Sequence, residues 1–244
     1  MTKLSSLSVF FPCYNEAANI PLFVTEALQE LPKVARKFEI IVVDDGSTDG
    51  SAKLVRTWHQ KDRRIRLMKH SKNRGYGAAL RTGFAAAKHD WVFFTDGDLQ
   101  FRLAQLSKLT AQTDKYQVVI GYRKHRADGG IRVFNAKLFK LYIDILFRLQ
   151  VRDIDCAFKL LKTDLVQQIP LESTGAFLSA ELLYKLKKRG LKFSQIPVDH
   201  ELRRFGTPTG NHPKVVIKAG WEALRLYLHM KWQQCQVLIQ QLGL

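Results

Sequence analysis

Two acidic clusters hold most of the chemistry this chain could perform: Asp96-Gly97-Asp98-Leu99-Gln100 and Asp44-Asp45-Gly46-Ser47-Thr48-Asp49-Gly50. In the first, a single Gly separates two carboxylates, so on an extended turn both can point to one side, and Gln100 adds an oxygen. A few hard oxygen ligands from protein suit Mg2+ or Mn2+, with water and diphosphate oxygens filling the remaining octahedral positions. Asp-Gly-Asp is also an ordinary turn sequence, so its position in the fold has to decide. In the second cluster Asp45, Ser47 and Asp49 can cap a helix beginning near Gly50, which explains most of the motif structurally. Capping does not explain two adjacent carboxylates, and a carboxylate there can accept from a ribose hydroxyl or a base N–H.

Each cluster follows a short apolar run, and such runs alternate with helix-like segments, the pattern of βαβ units and a mainly parallel sheet. Strands are predicted at Leu7–Phe11, Glu39–Val43, Ile65–His70, Trp91–Thr95, Gln117–Ile120, Phe158–Leu161 and Lys192–Pro197. Helices are predicted at Ala18–Ala35, Gly50–Lys61, Ala78–Lys88, Leu103–Thr113, Arg132–Gln150, Ser179–Arg189 and Lys214–Gln234. In open α/β sheets ligands bind beyond the carboxyl ends of strands, where loops and helix N-termini converge. Both clusters sit at such ends, as do Pro12-Cys13-Tyr14-Asn15-Glu16 and Gly121-Tyr122-Arg123. Asn73-Arg74-Gly75-Tyr76-Gly77-Ala78-Ala79 is a Gly-containing turn opening a helix, a place where backbone N–H groups could meet phosphate. It is neither a dinucleotide fingerprint, since Leu80 stands where the third Gly belongs, nor a Walker loop.

The 244 residues carry 39 Lys+Arg against 22 Asp+Glu, a formal +17. Residues 1–120 hold 18 basic and 12 acidic side chains and residues 121–244 hold 21 and 10, so most of the excess lies in the second half. That balance favours polyanionic partners: nucleic acid, anionic lipid or phosphorylated substrate. Composition is otherwise globular, with 46% apolar residues, excluding disordered and fibrous classes. Cys13, Cys156 and Cys235 are odd in number and far apart, which predicts a reduced, cytosolic-side protein without a zinc site. The longest stretch free of Asp, Glu, Lys and Arg, Trp232–Leu244, is 13 residues with five Gln, so no transmembrane span is expected. The 132–150 and 214–234 helices each have a broad apolar face and a thin charged stripe, and Trp221 and Trp232 lie on the second, features of helices at a membrane surface. Two helices packed on the sheet would look similar.

Together and in order, these motifs resemble family 2 glycosyltransferases of GT-A fold, in the branch of dolichol-phosphate mannosyltransferase and bacterial polyprenyl-phosphate glycosyltransferases. Asp155-Cys156-Ala157-Phe158-Lys159, Pro197-Val198-Asp199-His200 and Arg203-Arg204-Phe205-Gly206 are similar to later blocks of the family, and the likeness covers roughly residues 7–210. It implies a single GT-A domain over residues 1–213, an α/β fold with a mainly parallel central sheet flanked by helices, and a C-terminal amphipathic helix and tail over 214–244. It also implies a nucleotide-sugar donor held by Pro12, Tyr14, Glu16, Asp44, Asp45, Gly77 and Asp96, and a Mg2+ or Mn2+ ion held by Asp96, Asp98 and Gln100.

The acceptor implied is a polyprenyl phosphate at the cytosolic face of a membrane, with inversion at the anomeric carbon. A phosphomonoester with its second pKa at about 6 is already a nucleophile at neutral pH, so the site needs cations rather than a base. Arg123, Arg126, Arg132 and Arg203 are the candidates, with Asp98, Arg123 and Arg203 the residues expected at the reaction itself. A hydroxyl acceptor would instead require a carboxylate base, for which Glu181 and Asp155 stand available. A basic nucleic-acid or anionic-lipid module, the reading from charge alone, would leave the strand-end carboxylates without a role and has no aromatic-interleaved basic ribbon behind it. No nucleic-acid partner is therefore expected, and the sequence leaves the oligomeric state open.

Overall fold

The computed structural model describes residues 3–124, 130–203, 205 and 213–241, with backbone alone at 130–134 and 237–241. Its elements run β1 (Leu4–Cys13), α1 (Ile20–Val34), β2 (Ala35–Asp44), α2 (Ser51–Lys61), β3 (Ile65–Lys69), α3 (Tyr76–Ala86) and β4 (Trp91–Thr95). A 3-10 turn (Leu103–Gln105) leads into α4 (Leu106–Thr110), then β5 (Val118–Arg123), α5 (Gly130–Phe147), β6 (Phe158–Lys162), α6 (Thr163–Gln167), α7 (Leu178–Lys188), β7 (Phe193–Val198) and α8 (Pro213–Gln241).

The seven strands lie in the order β3-β2-β1-β4-β6-β5-β7. Pairing is parallel except for β6, which runs antiparallel to both β4 and β5. β1, β2 and β4 are buried almost from end to end, matching their unbroken apolar runs. Successive side chains of a strand face opposite ways, so the two core layers separate at adjacent residues. Phe11 joins α1 through Phe23, at 3.9 Å between ring centroids, while Phe10 meets Phe84 of α3 at 5.0 Å on the other face. α3 lies this close because Gly83 has no side chain, and a Cβ there would run into the Phe10 ring.

Sequence periodicity placed every strand, with β1 and β2 extending further toward their N-termini than expected. The helix predicted over Leu103–Thr113 is shorter: a 3-10 turn, one α turn and a run of turns. α6 was missed, since five residues are too few to show a period. α8 runs well past Gln234, without a break in its polar and apolar alternation to stop it. Its Ala219 and Ala223 face inward, and Tyr142 of α5 donates to the Gly220 carbonyl at 3.1 Å.

Candidate active site

The parallel strands β1, β2 and β4 end side by side, with Cys13 in register with Asp44, so three motifs distant in sequence open on one edge of the sheet. The loops after β1 and β2 are tied together. Asn15 N–H donates to Ser47 Oγ at 2.9 Å, Thr48 N–H to Asn15 Oδ1 at 2.9 Å, and Ala17 N–H to Asp49 Oδ2 at 2.9 Å. Asn15 takes a left-handed φ of 57°, a conformation Asn tolerates better than most residues. This lacing fixes the loop after β1 that carries Glu16 and the half-exposed Tyr14.

The two carboxylates of the β2 end have different partners. Asp44 Oδ1 accepts from Ser47 N–H at 2.8 Å, while its Oδ2 is buried with no partner among the described residues. Such an acceptor suits a donor group arriving with a ligand. Asp45 accepts from Arg74 N–H at 2.9 Å, Gly75 N–H at 2.8 Å and the His70 ring at 2.6 Å. Asp45 therefore anchors the 73–75 loop. Gly77 likewise gives its N–H to Thr174 O at 2.9 Å, and a Cβ on it would lie 2.7 Å from Gly175 O. The donor-binding expectation for Gly77 thus meets a packing glycine whose N–H is already spent within the protein.

At the β4 end, Asp96 Oδ1 accepts from Tyr76 Oη at 2.9 Å, and Asp98 Oδ1 from Gln100 N–H at 3.2 Å. Burial, followed by the charge of Asp98, pushes the Asp96 carboxyl up to about 7. Gln100 spends its amide N–H on Glu201 O at 3.0 Å, which leaves its oxygen to offer a cation. A buried carboxylate whose proton affinity is raised by a second one beside it, with an amide oxygen nearby, fits a hard divalent cation completed by phosphate oxygens. No group of three or more His, Cys, Asp or Glu suited to a metal occurs among the described residues, so the protein alone would supply an incomplete shell.

Arg203 bridges to this edge. Its Nη1 is 3.5 Å from Asp98 Oδ2, its Nη2 donates to Glu16, and its Nε donates to Phe205 O at 2.6 Å. Burial raises the Glu16 carboxyl, while Asn19 and Arg203 pull it back. Arg123 makes a bidentate pair with Asp153, at 2.6 Å from Nε and 2.8 Å from Nη2. Beside it opens a cavity of about 180 Å3 whose lining includes Arg123, Lys137, Lys140, Arg152 and the exposed Asp155. Arg126 and the Arg132 side chain lie outside the described residues.

Glu181 stands apart. It is buried, and its two oxygens accept from Glu172 N–H and Ser173 N–H, both at 2.9 Å, and from Lys185 at 2.7 Å. Burial alone would raise it, but Lys185 and those donors hold it below the usual carboxylate range. That is the setting of a structural brace, because a base needs an oxygen free to take a proton. Sequence reasoning missed Tyr76, Asp153 and Glu222. Tyr76 was in view inside the Gly-containing turn, but nothing in the spacing showed that its hydroxyl reaches Asp96.

The profile of "Glycosyl transferase family 2" matches residues 8–169. The chain is 27% identical over 214 residues to the dolichyl-phosphate beta-glucosyltransferase of Dictyostelium discoideum, covering 79% of this chain and 65% of the relative. It is 27% identical over 206 residues to the undecaprenyl-phosphate 4-deoxy-4-formamido-L-arabinose transferase of Salmonella choleraesuis (strain SC-B67), covering 83% and 62%. The alignments thus span a little under two thirds of each relative's length. Among solved structures, glucosyl-3-phosphoglycerate synthase of Mycobacterium tuberculosis, crystallised with Mn2+, uridine diphosphate and glucosyl-3-phosphoglycerate, superposes with a TM-score of 0.73 at 20% identity, over 91% of this chain and 80% of that one. Its fold is the GT-A fold, shared here by the mainly parallel seven-stranded sheet. With the profile running through the β1, β2 and β4 ends that build the site, this chain belongs to glycosyl transferase family 2.

Proposed function

We propose that this protein is an inverting glycosyltransferase that moves a sugar from a nucleotide-diphosphate donor to a polyprenyl phosphate at the cytosolic face of a membrane. The observation that carries this reading is the Asp96 and Asp98 carboxylate pair at the strand ends, with Arg203 against Asp98; the cavity at Arg123, where four basic side chains outnumber Asp153 and Asp155, adds to it. The two kinds of relative, named for dolichyl-phosphate and undecaprenyl-phosphate, support this acceptor class.

In this reading the donor's base and ribose lie over the β1 and β2 ends, among Pro12, Tyr14, Glu16 and Asp44, where Asp44 Oδ2 has an acceptor position to fill. Asp45 contributes indirectly, by holding the 73–75 loop. Asp96, Asp98 and Gln100 would hold Mg2+ or Mn2+, which when bound neutralises charge on the leaving nucleoside diphosphate. Arg203 and Arg123, with Arg126 and Arg132, supply the cationic surroundings for the acceptor phosphate, Arg123 through its charge, since its Nε and Nη2 already hold Asp153. Because a phosphate monoester is already largely anionic at neutral pH, no protein group has to remove a proton from it.

Membrane contact is supported by apolar stripes left exposed on α5 (Leu138, Leu141, Ile145) and α8 (Ile217, Trp221, Leu228, Trp232). No described helix is long and apolar enough to cross a bilayer. A helix with a wide apolar face, cationic flanks and Trp suits the interface instead. The test is a panel of nucleotide sugars with Mn2+ or Mg2+, with and without polyprenyl phosphate, scored for glycolipid and nucleoside diphosphate. One donor is expected to give glycolipid only when lipid phosphate and ion are present. Asp98→Ala should lower that turnover by roughly 100-fold or more while remaining folded; wild-type turnover in this variant would sink the reading.

A further inference from the structure

Tyr76 opens α3 between two glycines that press on another loop. A Cβ on Gly75 would lie 2.6 Å from Thr174 O, one on Gly77 2.7 Å from Gly175 O, and Gly77 N–H donates to Thr174 O at 2.9 Å. The position of Tyr76 is therefore set by the 172–175 loop as firmly as by its own helix. That loop is in turn held by two carboxylates, which take its four successive N–H groups. Glu181 of α7 takes Glu172 and Ser173, and Glu222 of α8 takes Thr174 and Gly175, both at 3.1 Å. Lys218 of α8 adds a bond to Thr174 Oγ1 at 2.9 Å. At the other end of this chain of contacts, the Tyr76 hydroxyl donates to Asp96 Oδ1.

We infer that Tyr76 is a positioning residue that orients the Asp96 carboxylate, and that Glu222 of α8 acts on the same carboxylate through Thr174, Gly77 and Tyr76. The inference rests on the role proposed above for Asp96 as a ligand of the divalent ion. A carboxylate that holds an ion gains its orientation from the group bonded to its other oxygen, and removing such a group typically costs about 10- to 100-fold in affinity or activity. Here that group is a phenol whose backbone cannot shift without moving the Thr174 carbonyl. Helix α8, whose outer face carries Ile217 and Trp221, thus grips with its inner face the loop that seats the ion site.

Mn2+ binding provides the test, since it needs neither the acceptor nor turnover. Mn2+ is titrated, alone and with UDP or GDP present, into the wild type, Tyr76→Phe, Glu222→Ala, Glu222→Gln and the Tyr76→Phe/Glu222→Ala double variant, each checked for folding by thermal melting. Tyr76→Phe is expected to weaken Mn2+ about tenfold with little change in melting. Glu222→Ala should weaken it by a similar or smaller factor, and Glu222→Gln should restore binding to within about threefold, since the amide oxygen still accepts from Thr174 and Gly175. The double variant should bind no more weakly than Tyr76→Phe, because residues acting through one contact are not additive. Multiplying defects, or a Glu222→Ala protein that melts early yet binds Mn2+ like the wild type, would overturn the link to α8. Equal Mn2+ affinity in wild type and Tyr76→Phe would overturn the inference alone, even if Glu222→Ala fails to fold. A wild type without saturable Mn2+ binding would overturn the ion site, and this inference with it.

Discussion

At the scale of single residues, the site concentrates acids where the fold excludes water. Asp96 shows the consequence: burial and the neighbouring Asp98 raise its carboxyl to about 7, above its ordinary value of 3.8. A carboxyl held higher in the folded state stabilises the fold most below its unfolded pKa, and that contribution is lost as pH rises toward the folded value. In the absence of metal, Asp96→Asn is therefore expected to melt with the wild type near pH 4 and above it at pH 8. Added Mn2+ should close the gap at pH 8 by raising the wild type alone. Identical pH profiles for the two proteins in thermal melts would contradict this reading of Asp96. Asp44 and Asp45 are adjacent in sequence yet differ in the same physical terms: Asp45 is engaged by three protein donors, and Asp44 keeps one buried oxygen without a partner among the described residues.

Among the elements, the helices beyond the sheet do more than cover it. α7 and α8 each contribute one carboxylate to the 172–175 loop, and the loop seats the N-terminus of α3. Glu181→Gln replaces one accepting oxygen by a donor, leaving one of two N–H groups without its partner. A cost of about 1–3 kcal/mol is expected, seen as a lower melting temperature. Transfer should stay within about tenfold, whereas removal of a general base costs roughly 100-fold or more. A large loss of turnover at unchanged stability would make Glu181 the base and the acceptor a hydroxyl. The charge of this residue type at a helix start was visible in the sequence. Its destination was not, because Glu172 and Ser173 come from the preceding loop and only folding brings them within reach.

For the whole molecule, the charge asymmetry of the chain and its exposed apolar stripes point the same way. The half from residue 121 onward carries 21 basic and 10 acidic side chains, and it contains α5 and α8 with their stripes of uncovered large apolar side chains. Binding to vesicles containing anionic lipid is expected, weakening as salt rises because the electrostatic part is screened. Trp221→Ser and Trp232→Ser should each weaken it by about tenfold, the order expected for losing one large buried apolar side chain. Vesicle binding unchanged in the double Trp variant would assign these stripes to another surface.

The sequence by itself determined the alternation of strands and helices, the GT-A class and the identity of the strand-end motifs. These are local properties: the period of apolar residues, the turn chemistry of Asp and Gly, and the order of short motifs along the chain. Tertiary structure decided which of those residues are already occupied and by what. The reversed direction of β6, the pairing of Arg123 with Asp153, the closure of Asp45 on the 73–75 loop, and the path from Glu222 through Thr174 to Tyr76 all depend on contacts between residues distant in sequence. No periodicity encodes such contacts, since a hydrogen bond depends on where two groups arrive rather than on how many residues separate them.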